Sequence, residues 1–137
     1  MKQFKASLCS GVLLALAAIH VYWATGGQRF AEASVPTRTP TIEGSGTPLF
    51  VPGPISTLGV AAGLTGAAVV VARAGFAARQ RGLANLVALA FLLRAVGEFR
   101  YVGFSKRVRG TEFSRRDDLI YSPLCLGVSV LARGAAK

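Results

Sequence analysis

Two long stretches of this sequence contain no formally charged side chain, and they constrain the fold more than any other feature. They cover residues 7–25 and residues 54–72, with His20 counted as neutral. A helix of either length measures about 28 Å, which is close to the roughly 30 Å thickness of a bilayer core. We therefore predict two membrane-spanning helices with these bounds.

Two further apolar segments contain polar residues. The third segment contains Arg94 and predicts a helix at about residues 82–101. The fourth is shorter, contains Pro123 as a predicted kink, and reaches spanning length only when it is extended upstream, to about 115–133. The sequence thus predicts an all-α, four-helix transmembrane bundle that forms a single multi-pass membrane domain over residues 1–137.

The second helix carries a row of small residues. Gly59, Gly63 and Ala67 recur every four positions, so they share one helix face. Small residues let a neighbouring backbone approach closely in a membrane. We expect this face to pack against another helix of the same chain, and a homodimer face is the alternative.

The net charge of +10 raises the question of nucleic-acid binding. However, the chain is 52% hydrophobic and only 16% charged, which is too apolar for an ordinary soluble domain. Its basic residues cluster between apolar runs, as in membrane proteins. We therefore expect the lipid bilayer as its environment and no nucleic-acid partner. The two cysteines have no metal-ligand spacing and there is a single histidine, so no metal site is expected.

The first run also has features of a signal peptide, because Lys2 and Lys5 precede it and residues 15–17 resemble a cleavage site. It continues through Trp23 to spanning length, so we favour an uncleaved helix. Counts of Lys and Arg on the two sides are nearly balanced. The basic N-terminus and the acid-free loop after the second helix favour a cell-membrane protein with both termini in the cytoplasm.

Polar and aromatic side chains converge at the end of the bundle where helices one and three finish and helix four begins. The candidate ligand-binding residues at this end are His20, Trp23, Arg94, Glu98, Asp117, Tyr121 and Ser122. Arg94 is the strongest signal, because a mid-helix arginine costs several kcal/mol in hydrocarbon unless it is paired. Glu98 on the same helix face, Asp117 and Asp118 are its candidate partners. We expect His20 to face the same interior, near Arg94.

The sequences HVYWATGG, at 20–27, and FLLRAVGEFRYVGFSKRVRGTEFSRRDDLIYSPLCL, at 91–126, also resemble a known family. It consists of small bacterial four-helix membrane proteins catalogued only as a domain of unknown function. The matching positions are His20, Trp23, Gly27, Arg94, Gly103, Phe113, Asp117, Tyr121, Ser122 and Pro123. The resemblance implies four membrane-spanning helices, and it implies no particular activity because none is established for the family. An extra aspartate at 118 and a long polar first loop depart from the family pattern, so which aspartate has the family role stays open.

No hydrolase, metalloprotease or nucleotide-binding motif occurs, so the sequence leaves enzymatic activity and cofactors open. Our leading interpretation is a membrane protein whose polar cluster stabilises the bundle and binds a small lipophilic ligand or a lipid headgroup. One alternative is an intramembrane oxidoreductase or quinone-type site that uses His20, Arg94 and Tyr121. Another is an accessory subunit of a membrane complex, whose 98–118 loop docks a membrane protein partner.

Overall fold

The computed structural model describes residues 1–31, 33–38 and 47–137. Within these ranges the chain forms four long helices and an isolated bridge between Thr37 and Pro48, and no β-sheet. The helices are α1 (Lys2–Ala24), α2 (Pro54–Ala72), α3 (Ala78–Val96) and α4 (Glu112–Ala136). The predicted all-α, four-helix architecture is confirmed.

α3 ends earlier than the sequence predicts. Its last helical residue is Val96, and Gly97 has a φ of +94°, which an L-residue with a side chain rarely adopts. The chain then leaves the helix axis, so Glu98 and Tyr101 lie in a loop. The prediction of a helix over 82–101, with Glu98 one turn beyond Arg94, is therefore wrong at its C-terminal end.

α4 begins earlier than predicted and contains an irregular turn. The Thr111 hydroxyl accepts the Ser114 N–H at 3.0 Å, so Thr111 caps the helix. Residues Asp117–Tyr121 form a π-helical turn, and the Ser122 N–H donates to the Asp117 carbonyl. Pro123 follows directly, and its missing N–H and its ring interrupt the regular α-helical ladder. The predicted irregularity at Pro123 thus takes the form of a wider helical turn.

α1 packs mainly against α2, α3 packs mainly against α4, and α1 also contacts α4. The largest fully buried apolar side chains are Leu13, Val71 and Val128, and most of the remaining core is alanine. Hydroxyl groups reinforce these contacts. Ser10 donates to the Ala68 carbonyl at 2.9 Å, between α1 and α2. Such side-chain to backbone bonds are common between helices in membranes.

Of the small residues in the row on α2, Ala67 packs against the core, whereas the two glycines do not pack as predicted. A Cβ atom added at Gly59 or Gly63 would meet no other atom within 4 Å, and both glycines are exposed. Ala61 and Ala68 contribute the buried face of α2 instead. The expectation that Gly59 and Gly63 pack against another helix of this chain is therefore wrong.

The exterior of the bundle is apolar. Large apolar side chains are exposed on every long helix, among them Leu14, Val69, Leu89 and Val130. By length and composition, α1, α2 and α4 are apolar enough to cross a membrane. α3 carries three arginines, near its two ends, and is not in this group.

The two ends of the bundle differ. At one end, which we call the loop end, α1 and α3 finish, α2 and α4 begin, and the residues 25–53 and 97–111 connect them. At the other, which we call the terminal end, α1 begins, α4 finishes, and residues 73–77 connect α2 to α3. Every candidate residue predicted from the sequence lies toward the loop end.

Candidate functional site

A buried carboxylate organises the loop end. Asp117, at the start of the π-helical turn, is 0% exposed. Its Oδ1 accepts a hydrogen bond from Arg94 Nη2 at 2.9 Å, and its Oδ2 accepts from the Gly103 N–H at 2.7 Å and from Lys106 Nζ at 3.1 Å. We call Arg94, Gly103, Lys106, Asp117 and Asp118 the carboxylate clamp. It joins α3, the 97–111 loop and α4 through charge-assisted bonds.

Lys106 is the residue that sequence reasoning missed. It occupies a loop between basic residues, where a solvated lysine is the ordinary expectation, yet its side chain is fully buried. Its ammonium group donates to the Gly103 carbonyl at 3.0 Å and to Asp117 and Asp118. The signal in the sequence was the Asp117-Asp118 pair, because two adjacent acids at the start of a long apolar helix call for more cations than Arg94 alone supplies.

The partners of Arg94 are now defined. Asp117 holds it, and Asp118 instead pairs with Lys106 and with Arg109, the latter at 3.2 Å. Glu98, the predicted partner on the same helix, is not involved. Its carboxylate accepts the backbone N–H groups of Tyr101 and Val102 in the loop. Glu98 therefore shapes the loop and forms no ion pair among the residues that the structure describes.

Two glycines allow the 97–111 loop to fold back onto α3. A Cβ atom at Gly103 would lie 2.4 Å from the Gly97 Cα, so the two backbones touch. The N–H groups of Phe104 and Ser105 then donate to the Ala95 and Val96 carbonyls at 2.8 and 3.0 Å. These bonds satisfy carbonyl groups that the end of α3 would otherwise leave unpaired.

Polar atoms with no partner lie next to the clamp. Ser122, one turn beyond Asp117, is 0% exposed, and its Oγ has no hydrogen-bond partner within the described part of the chain. The same holds for Arg94 Nη1, although Nη2 of that residue is bonded to Asp117. The clamp therefore retains an unused guanidinium donor, and an unused hydroxyl lies beside it.

Tyr121 connects α4 to the first loop. Its hydroxyl donates to the Ala33 carbonyl at 3.3 Å, and its ring lies 6.0 Å from that of Phe113. Tyr121 and Asp117 thus attach both loops of this end to α4.

His20 lies in a separate cavity of about 260 Å³ between α1, the first loop and α2. The cavity is lined by His20, Trp23, Ser34, Val35, Phe50, Pro52, Ser56, Thr57 and Val60. The Nδ1 atom of His20 is 2.8 Å from the Leu16 carbonyl oxygen, and its ring meets Trp23 edge-on with centroids 5.0 Å apart. The Trp23 indole N–H donates to the Arg29 carbonyl at 2.8 Å. Both side chains are therefore held in place.

Five of the seven predicted site residues consequently fall into two groups, and the other two, Glu98 and Tyr121, bond to the loops instead. Arg94 and Asp117 belong to the clamp between α3 and α4, and Ser122 lies beside it, whereas His20 and Trp23 line the cavity beside α2. Across the described residues, no hydrogen bond or ring contact joins His20 to the clamp. We had expected from the sequence that His20 would lie near Arg94. The structure instead shows no contact between these two residues.

Gly26 and Gly27 turn the chain toward this cavity. Gly26 has a φ of +95°, and a Cβ atom at Gly27 would lie 2.3 Å from the Tyr22 ring. The N–H groups of both glycines donate to the last carbonyls of α1. The HVYWATGG segment thus ends α1 and directs the first loop back over His20.

Comparison with known proteins agrees with the family resemblance. The family model described as "Protein of unknown function (DUF3995)" matches residues 13–132. This range includes the His20 cavity residues and the whole carboxylate clamp. No curated protein and no solved structure matches the chain.

Proposed function

The chain belongs to the DUF3995 family of proteins of unknown function, and we propose that it binds a small lipophilic molecule bearing a hydroxyl group in the His20 cavity. The carboxylate clamp then has a structural role, since its charges are paired within the fold. The protein is then a ligand-binding membrane protein. No reaction is assigned to the site.

The observation that carries this proposal is the hydrogen bond of the His20 ring. The Leu16 carbonyl oxygen can only accept, so Nδ1 of His20 carries the proton of the neutral imidazole. Nε2 is then an acceptor, and it has no partner among the described residues. A ligand group that donates a hydrogen bond, such as a hydroxyl, complements it.

The rest of the cavity favours an apolar ligand. Phe50, Pro52 and Val60 contribute apolar surface, and Trp23 contributes an aromatic wall. Binding sites for small molecules typically combine such surface with a few fixed polar groups. The hydroxyl groups of Ser56 and Thr57 already donate to the Gly53 carbonyl, at 2.8 and 2.9 Å, so the cavity offers few free donors to a ligand. This favours alcohols and phenols over ketones.

A matched ligand pair tests the proposal. The protein contains a single tryptophan, Trp23, which lines the cavity and reports on its occupancy by fluorescence. We expect 4-octylphenol to quench Trp23 more strongly than its methyl ether, 4-octylanisole, at equal membrane concentration. His20→Phe should weaken octylphenol binding by roughly threefold to tenfold, because a neutral hydrogen bond contributes about 0.5–1.5 kcal/mol.

Tyr101→Phe serves as the control, because Tyr101 lies outside the cavity and loses only one hydroxyl. It should bind octylphenol as the unmodified protein does. Equal affinities for octylphenol and octylanisole, or unchanged octylphenol affinity in His20→Phe, would show that His20 does not recognise the ligand.

The quinone-type alternative was predicted to use His20, Arg94 and Tyr121, and of these three residues only His20 lines the cavity. A quinone site there would rest on His20, and it requires different hydrogen bonding from the ligand. A hydroquinone has the hydroxyl donor that Nε2 of His20 complements, whereas a quinone has only acceptors. Under our proposal, a short-chain hydroquinone binds and its oxidised form does not. Comparable binding of both forms would favour the oxidoreductase interpretation.

We also propose that α3 is a fourth span and that both termini are cytoplasmic. The arginines of α3 lie near its ends, and its exposed middle is apolar, with Leu86, Leu89 and Leu93. Arg94 is paired with Asp117, which lowers the cost of placing it near the membrane. Lys106 is buried, so it is not among the solvated loop cations that influence orientation.

Reporter fusions test this topology. A reporter after Lys137 should be active in the cytoplasm, and one inserted within residues 36–46 should be active on the opposite side. The two positions are separated by α2, α3 and α4. Reporters on the same side would mean that one of these helices does not cross the membrane. That helix would be α3, because α2 and α4 are the more apolar.

A further inference from the structure

We infer that a groove at the terminal end binds an anionic phospholipid, with its phosphate at a basic mouth and an acyl chain along α4. The groove encloses about 580 Å³ and is lined by residues of α1, α3 and α4. It lies at the opposite end of the bundle from the His20 cavity and the carboxylate clamp, so this inference does not depend on the proposed function.

The mouth of the groove is strongly basic. Lys2, Lys5, Arg133 and Lys137 line it, and no acidic side chain does. Arg133 donates to the neutral Asn85 side chain at 3.0 Å, which holds its guanidinium in place without neutralising it. No ion pair between side chains involves these four cations among the described residues. A ligand with a negative charge complements this surface.

Lys5 is built into the groove. A Cβ atom at Gly134 would lie 2.7 Å from the Lys5 Cδ, so the absence of a side chain at Gly134 makes room for the lysine stem. The stem therefore crosses α4 while its ammonium group reaches the mouth, as long basic side chains do near a membrane surface. Lys5 and Arg133 thus approach the mouth from two different helices.

The wall below the mouth is apolar and faces outward. Leu92 of α3 and Leu126 and Val130 of α4 line it, and Val130 is 64% exposed. Leu126 and Val130 are one helical turn apart, and the wall extends about 10 Å from Arg133 to Leu126. Basic groups at the membrane surface above a strip of exposed apolar side chains match a phosphodiester joined to an acyl chain. A soluble phosphate would use only the mouth.

Lipid retention measured by native mass spectrometry tests this inference. The full chain is purified in a neutral detergent and mixed with equal amounts of dioleoyl phosphatidylglycerol and dioleoyl phosphatidylcholine. We expect phosphatidylglycerol to be retained preferentially. The double variant Lys5→Gln/Arg133→Gln should reduce this preference by roughly 25-fold, because each basic side chain near the surface contributes a factor of about five.

The matched control is Arg73→Gln/Arg79→Gln. It removes the same charge from the same end of the bundle, and neither arginine lines the groove. It should keep most of the preference for phosphatidylglycerol. An equal loss in both double variants would overturn the groove as a specific site and leave only general charge attraction.

A second variant keeps the charges and blocks the wall. Val130→Trp places a large side chain at an exposed position, so the fold should be retained, and the retained phosphatidylglycerol should fall at least fivefold. Glycerol 3-phosphate should not displace the lipid, since it lacks the acyl chain. Unchanged retention in Val130→Trp, or displacement by glycerol 3-phosphate, would contradict an acyl chain in the groove.

Discussion

Asp117→Asn is expected to lower the free energy of unfolding by about 3–5 kcal/mol, which is the range measured when one charged partner of a buried ion pair is removed. Asp117 is fully buried and accepts bonds from Arg94, Lys106 and the Gly103 N–H. An asparagine has no charge to balance the two cations, and Lys106 is itself fully buried. The loss should be measured by titrating the purified protein from mild detergent into SDS and following its helical signal.

Glu112→Gln is the control for this loss. Glu112 also pairs with two arginines, Arg115 and Arg116, but its side chain is 49% exposed. Ion pairs that are this exposed to water contribute little to stability, so Glu112→Gln should have a much smaller effect than Asp117→Asn. A similar small effect of both substitutions would show that water reaches Asp117 and that the clamp does not hold the loop end together.

Gly103→Ala is expected to destabilise the protein by more than about 3 kcal/mol. Its φ of +83° alone costs an L-residue about 1–2 kcal/mol. In addition, the new Cβ would lie 2.4 Å from the Gly97 Cα and 2.5 Å from the Gly97 nitrogen. Relief of this overlap requires movement of the backbone that donates to Asp117. The same SDS titration measures the effect.

Gly110→Ala separates the two causes. Gly110 has the same φ of +83°, but a Cβ there would meet nothing within 4 Å. It should therefore show only the conformational cost of about 1–2 kcal/mol. If Gly103→Ala and Gly110→Ala were equally destabilising, the contact between the loop and Gly97 would have no energetic importance.

Much of the helical framework could be predicted from the sequence. The predicted bounds of the second helix, 54–72, are those of α2, Pro54–Ala72. They agree because the helix begins directly after Gly53 and ends directly before the charged residue Arg73. The pairing of Arg94 with a carboxylate was also predictable, although the sequence left Glu98, Asp117 and Asp118 as candidates. An arginine near a membrane helix end needs a carboxylate, and few carboxylates lie at the same depth.

The path of the 97–111 loop could not be predicted. Periodicity continues α3 toward Tyr101, and only the contact between Gly97 and Gly103 reveals that the chain turns back. Gly97 is a possible helix end, but glycine is also frequent within membrane helices, so its presence alone does not reveal that the chain turns back. The burial of Lys106 follows from the same turn, since Lys106 reaches Asp117 only because Gly103 touches the end of α3.

The position of His20 could be predicted in depth but not in direction. His20 lies near the C-terminal end of α1, and Arg94 lies near the C-terminal end of α3, so both residues are near the loop end. Which neighbour His20 faces depends on how α1 is rotated about its axis where it packs against α2. The small residues of α2 did not predict this packing, because Gly59 and Gly63 are exposed.

The most direct test of ligand recognition by His20 is nitrogen NMR of protein labelled with ¹⁵N in the histidine ring. The chain has one histidine, so its two ring nitrogens give the only signals. We expect a protonated Nδ1 and an unprotonated Nε2, and the Nε2 signal should shift toward the protonated position when 4-octylphenol, but not 4-octylanisole, is added. A proton on Nε2 in the neutral ring, or no shift with octylphenol at saturation, would contradict this expectation.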